Sequence, residues 1–308
     1  MRSNKALLIT GINRSGSTWI GQTLAKSNYV RYVHEPFNVI IAKNKYSYDI
    51  PQWFHYVSQG EEKEYRQYIK RILWLSDNPI EDIYKAFGTN SSRPILSRSL
   101  RNLFPSIIGV RPIVKDPIAI FSADWLYENF PMDVVVIIRH PAAYVWSVLK
   151  DSSHMHSFQR IFFEQPDLLK LTKPFQDDIY LASDESLPLY HRAAIFWKIT
   201  HHIIKQYQQQ YTEWIFIRYE QIASQPIEQF QGLTRRLSLE WTSTMNDYIL
   251  QRSLNENLAE YNYKAHIKSY NSTEQYMSWK NHLDKTTIQK IRDITQPVSD
   301  YFYADDDW

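Results

Sequence analysis

Aliphatic residues gather in three short, uninterrupted runs along this 308-residue chain: ALLITG at 6 to 11, VVVIIR at 134 to 139 and WIFIRY at 214 to 219. Runs of this length without polar alternation predict strands buried on both faces, as in a parallel sheet covered by helices. Two weaker runs, YVRYVHE at 29 to 35 and PIVKD at 112 to 116, predict further strands. Between them the apolar positions switch to a helical period. STWIGQTLAKS follows the first run, PAAYVWSVLKD follows VVVIIR, and the long LPLYHRAAIFWKITHHIIKQYQQQY precedes WIFIRY. Strand, turn, helix, strand is the α/β pattern, here a P-loop-like parallel sheet of about five strands flanked by helices. Residues 46 to 105 and 151 to 187 mix Pro, Asn, Ser and charge with amphipathic pieces, and read as helical insertions on that core. No repeat or linker-like break divides the chain, so a single domain over 1–308 is expected.

Composition narrows the function more than the fold. With 44% hydrophobic and 22% charged residues the chain is ordinary for a globular protein. The net charge of +2, with no long run of Lys or Arg, predicts neither a nucleic-acid partner nor a membrane-surface footprint. The absence of cysteine excludes disulfides, thiolate metal sites and cysteine nucleophiles, and fits a cytoplasmic setting. The longest aliphatic run, VVVII at 134 to 138, is far shorter than the roughly 20 residues of a membrane span.

GINRSGST at 11 to 18 sits between a predicted strand and a predicted helix. Gly11 and Gly16 allow a tight turn, and the amides from Ser15 to Trp19 are then expected to face an anion at a helix N-terminus. Ser17 and Thr18 add hydroxyls. The spacing copies the nucleotide-triphosphate loop, but Ser17 stands where its lysine belongs. That lysine gathers β and γ phosphates together with Mg²⁺, so its loss points to a different phosphate ester. A plain strand-to-helix turn capped by Ser15 or Ser17 is the competing structural account.

A second element comes from IIRHPAAYVWSVLK, which sets Arg139 at the C-terminal edge of a strand and Ser147 two turns into the next helix. GINRSGSTW followed by RHPAAYVWS resembles the 5′-phosphosulfate loop and the 3′-phosphate motif of PAPS-dependent sulfotransferases (PAPS, 3′-phosphoadenosine 5′-phosphosulfate). The resemblance implies that Arg14, Ser15, Gly16, Ser17 and Thr18 hold the 5′ end of the donor, and that Arg139 and Ser147 hold its 3′-phosphate. Trp19 and Tyr219 are similar to the family's residues around the adenine. YMSWKNHL at 276 to 283 resembles the segment that closes over the nucleotide; Trp279 and Lys280 within it, and Lys268 ahead of it, are further candidates. PAPS is the implied donor and PAP the product.

The acceptor's proton needs a base. Cytosolic aryl and steroid members use a histidine just beyond a lysine, whereas this chain reads IVKDPIA with Pro117 in that place. Lys115 is similar to the family lysine at the sulfuryl group, and Asp116 either orients it, serves as base or caps a turn. Glu35 in YVHEPFN is the favoured base, since related members with an RSGST loop place a catalytic glutamate in a similar Glu-Pro segment; His34 stands behind it. His154 and His156 have no third ligand in view, His201 and His202 point about 100° apart on a helix, and no metal is expected. The implied activity is sulfuryl transfer to a small-molecule or saccharide acceptor lying under the two insertions. An ATP- and Mg²⁺-dependent phosphotransferase and a non-catalytic nucleotide-binding protein are the alternatives.

Overall fold

Five parallel strands run side by side in the order β2-β3-β1-β4-β5 in the computed structural model, which describes residues 5–58, 60–74, 110–253 and 276–308. They are β1 (Ala6–Gly11), β2 (Val30–His34), β3 (Arg111–Lys115), β4 (Met132–Ile138) and β5 (Ile215–Arg218). All five match the predicted runs to within two residues or so.

The uninterrupted aliphatic pattern has a direct physical reason. Successive side chains of a strand point to opposite faces, and here both faces are packed. Leu8, Val134, Val136 and Ile138 enter the larger core cluster on one side, while Leu7, Ile9, Val135 and Ile137 enter a second cluster on the other. The larger core is covered by α2 (Glu62–Trp74), α3 (Pro141–Lys150) and α4 (Leu189–Gln210) together with the C-terminal helices. The smaller lies under α1 (Ser17–Leu24) and the helices α5 (Tyr219–Ser224), α6 (Pro226–Arg236) and α7 (Ser243–Ser253). Pro141 at the first turn and the His140 Nδ1 acceptor for the Ala142 amide (3.2 Å) start α3 where the sequence predicts it.

The order of strands creates a switch point. β1 pairs with β3 on one side and β4 on the other, so the connections from β1 and from its neighbours leave in opposite directions and a crevice opens at their C-terminal ends. The described parts of the two insertions are pinned to each other. The Tyr56 amide donates to Gln165 Oε1 at 2.7 Å, and Trp53 stacks on His156 with centroids 4.3 Å apart. Among the described residues no helix is long and apolar enough to cross a membrane.

Candidate active site

The loop after β1 takes a shape only its glycines allow. Gly11 has φ +144°, and a Cβ there would sit 2.5 Å from the Ile137 carbonyl of β4. Gly16 caps α1 in the left-handed region at φ +91°, where a Cβ would stand 2.3 Å from the Tyr219 ring. The Ser15 amide turns back to the Ile12 carbonyl at 3.1 Å, so it is not one of the free amides expected from the sequence. The first-turn amides of α1 have no intrahelical acceptors, and no side chain caps them. The capped-turn account therefore fails for Ser15 and Ser17. Ser15 Oγ is fully buried and has no hydrogen-bond partner among the described residues. Ser17 is also buried, and Thr18 is exposed at the rim.

The second motif meets this loop. Arg14, strained at φ 64°, donates from Nε to Ser147 Oγ at 2.9 Å, closing a separation of 133 residues. An Arg139 guanidinium nitrogen donates to the Arg14 carbonyl, while Arg139 Nε is buried without a partner among the described residues. Asp151 Oδ2 lies 4.0 Å from Arg14. Tyr219 lies under Gly16 and 5.0 Å from the Arg139 guanidinium, and Trp19 packs edge-on against Tyr219 and Phe230. Its indole N–H is buried and unpartnered among the described residues.

A second group of side chains converges at the ends of β2 and β3. Lys115 is 0% exposed and its ammonium donates to Glu35 Oε1; Asn38 Nδ2 donates to Glu35 Oε2 at 2.8 Å. Glu35 keeps 16% of its side chain in solvent and holds a left-handed φ of 44°, a strained value for a residue with a side chain. Burial pushes its carboxyl up, but the Lys115 charge, the hydrogen bond from Lys115 and the Asn38 amide outweigh that and hold it below the ordinary value. His34, half-buried, is shifted down by burial and by Lys115.

Asp116 has a different setting. It is 0% exposed, and its two oxygens take the amides of Phe37 (2.6 Å), Ile118 (3.0 Å) and Ala119 (3.3 Å). Burial and the Glu35 charge push it up to about 7. That value would suit a base, but a carboxylate with no solvent exposure and three amides on it has no open face for a substrate proton. Asp116 ties the turn after β3 to the Glu35-Pro36-Phe37 segment, and so fixes the Glu35 backbone.

Gly21 was not singled out by sequence reasoning, because its neighbour comes from another strand. A Cβ on Gly21 would lie 2.9 Å from Lys115 Cγ and 3.2 Å from the Tyr32 ring. The bare face of α1 thus admits the lysine stem. Gly21→Ala is expected to cost about 1–3 kcal/mol of stability by overpacking. Urea unfolding measures this, and an unchanged midpoint would contradict the packing role.

Other expectations fall differently. Trp279 is buried against His140, with rings 4.6 Å apart, and Lys280 Nζ donates to the Trp308 main-chain oxygen at 2.7 Å. Lys268 lies outside the described residues. His201 stacks on Trp197; burial drives it down to about 3 although the Trp197 carbonyl beside it acts the other way, and His202 faces Phe175 instead. No three His, Asp or Glu side chains among the described residues converge to hold a metal.

The family model described as "Sulfotransferase family" matches residues 6–243. Among solved structures, the sulfotransferase domain from the curacin biosynthetic pathway aligns with a TM-score of 0.50 at 15% identity, covering 95% of this chain and 98% of that one. The sulfotransferase domain of the Synechococcus PCC 7002 olefin synthase gives 0.45 at 12% identity, covering 95% and 94%. A mouse sulfotransferase complexed with PAP gives 0.43 at 10%, covering 94% and 83%. Curated protein sequences give no match. Because the family model spans more than half of the chain, this chain belongs to the sulfotransferase family.

Proposed function

We propose that the chain transfers a sulfuryl group from PAPS to a hydroxyl or amine of a small-molecule or saccharide acceptor and releases PAP. The observation that carries the reading is the meeting of the two phosphate motifs, where Arg14, Ser147 and Arg139 join around the uncapped start of α1. The groups there fit a phosphorylated nucleotide. Two guanidinium groups, the free first-turn amides and the orphaned Ser15 hydroxyl can all donate to phosphate oxygens. Tyr219 and Trp19 supply aromatic surface beside them for a base.

The chemistry follows from where the second group stands. Glu35 is the proposed base. The acceptor heteroatom forms its bond to sulfur as the bond from sulfur to the 5′-phosphate oxygen breaks; the electron pair leaves with PAP, and the acceptor's proton passes to a Glu35 oxygen. Lys115 and Arg14 offer positive charge to the sulfuryl oxygens and to the departing phosphate. As the Lys115 ammonium turns towards those oxygens, Glu35 loses the partner that depresses its pKa and becomes a stronger base. The acceptor is proposed to enter beside the paired insertions, near Trp53 and His156.

Transfer of ³⁵S from labelled PAPS to panels of phenols, saccharides and amines tests this reading. Labelled product that disappears with Arg139→Ala is the expected result. Transfer of the γ-phosphate from ATP with Mg²⁺ in its place would overturn it.

A further inference from the structure

The turn that carries Arg139 is tied down by residues with no part in the scheme above. Trp197 Nε1 on α4 donates to the Arg139 carbonyl at 2.8 Å. The next amide, that of His140, donates to Glu220 Oε1 at 2.9 Å, and the other oxygen of Glu220 accepts from the Tyr303 hydroxyl at 3.1 Å. Glu220 is buried and directly follows Tyr219, whose ring sits by the Arg139 guanidinium. The first two residues of α5 therefore touch both the side chain and the backbone of the arginine turn. The C-terminal segment completes the arrangement. Trp279 stacks on His140 at an interplanar angle of 9°, and Trp308 meets the same imidazole edge-on with centroids 4.5 Å apart. Arg218 pairs with Asp307 at 2.6 Å and lies 4.3 Å from the Tyr303 ring.

We infer that Glu220 is a positioning residue for the donor's 3′-phosphate, fixing the Arg139–His140 turn to the C-terminal segment through its two carboxylate hydrogen bonds. The inference rests on the proposed reading of Arg139 as the ligand of that phosphate. A guanidinium clamps an oxyanion well only when its backbone is held to about half an ångström. A buried carboxylate accepting a backbone N–H is among the stronger ways to hold it. Without Glu220 the buried His140 amide loses its acceptor, and the turn must move to find another.

The test compares the affinities of the full chain for PAP and for adenosine 5′-phosphate, which lacks the 3′-phosphate, by calorimetry. The wild type is expected to prefer PAP, and Arg139→Ala to lose that preference. Glu220→Ala is expected to weaken PAP about ten-fold while changing adenosine 5′-phosphate less than about two-fold. Tyr303→Phe is expected to shift the same ratio by a smaller factor. Glu220→Gln keeps an oxygen for the His140 amide and an N–H for the Tyr303 oxygen, and is expected to restore PAP affinity to within about three-fold of wild type. Equal weakening of both nucleotides, or none, in Glu220→Ala overturns the inference, since a merely structural residue would not act on the 3′-phosphate alone. Should that variant fail to fold, the Tyr303→Phe ratio decides, and an unchanged ratio overturns it. If Arg139→Ala loses the preference and the Glu220 and Tyr303 variants do not, the inference fails while the donor site stands. A wild type that does not distinguish the nucleotides overturns the reading of Arg139 and this inference with it.

Discussion

Replacing Glu35 with glutamine is expected to lower kcat by about 10²–10⁴-fold, the usual contribution of a positioned general base, with PAP affinity within about two-fold of wild type. Glutamine keeps the volume, can still accept from Lys115 through its one oxygen while giving up the bond from Asn38, and cannot take a proton. The pH profile supplies a second check. The carboxyl is held below its ordinary value of 4.5, so kcat/KM is expected to stay flat from neutral pH to about 5 and to fall only below that. Stability has the same sign. A depressed folded-state pKa contributes stability that is present above the unfolded value and is lost as the pH falls through the folded one. Unchanged turnover in Glu35→Gln would remove this residue from the chemistry.

Lys115→Met carries the second largest expected effect, a loss of about 10²–10³-fold in kcat, as for removal of one transition-state donor. Methionine is chosen because it retains most of the stem that fills the space beside Gly21 and Tyr32. Its removal of charge also leaves Glu35 largely buried without its strongest partner, so the Glu35 carboxyl moves up. The acid limb of kcat/KM is then expected to shift towards neutral pH, which a purely structural lysine would not cause. The double variant with Glu35→Gln is expected to cost much less than the product of the two single losses, because the residues act as a unit. Additive losses in that cycle would contradict the pairing.

The strands and the glycine-marked loop after β1 were legible because their signals are local. A strand packed on both faces must be aliphatic throughout, and β1 and β4 are. Gly11 and Gly16 mark a loop whose backbone lies where side chains would collide, and Arg139 is legible from its place at the end of β4. What the sequence hid depends on long-range contacts. Asp116 reads as a plausible base until the Phe37 amide, 79 residues away, is seen on its carboxylate. Gly21 looks like a tolerated helix glycine until the Lys115 stem is placed against it. The resemblance of YMSWKNHL implies a segment that closes over a nucleotide, and no local signal shows that its Trp279 stacks on His140, next to Arg139. Glu220 escaped notice for the same reason, since both of its partners lie about 80 residues away in either direction.

Thermal unfolding of the purified chain with PAP, and separately with ATP plus Mg²⁺, tests the donor assignment most directly. A ligand at about 100 times its dissociation constant stabilises the native state by roughly 2.7 kcal/mol, enough to read as a clear shift in Tm. By the donor assignment, PAP raises the Tm of the wild type and does not raise that of Arg139→Ala. Stabilisation by ATP plus Mg²⁺ with no response to PAP would contradict it.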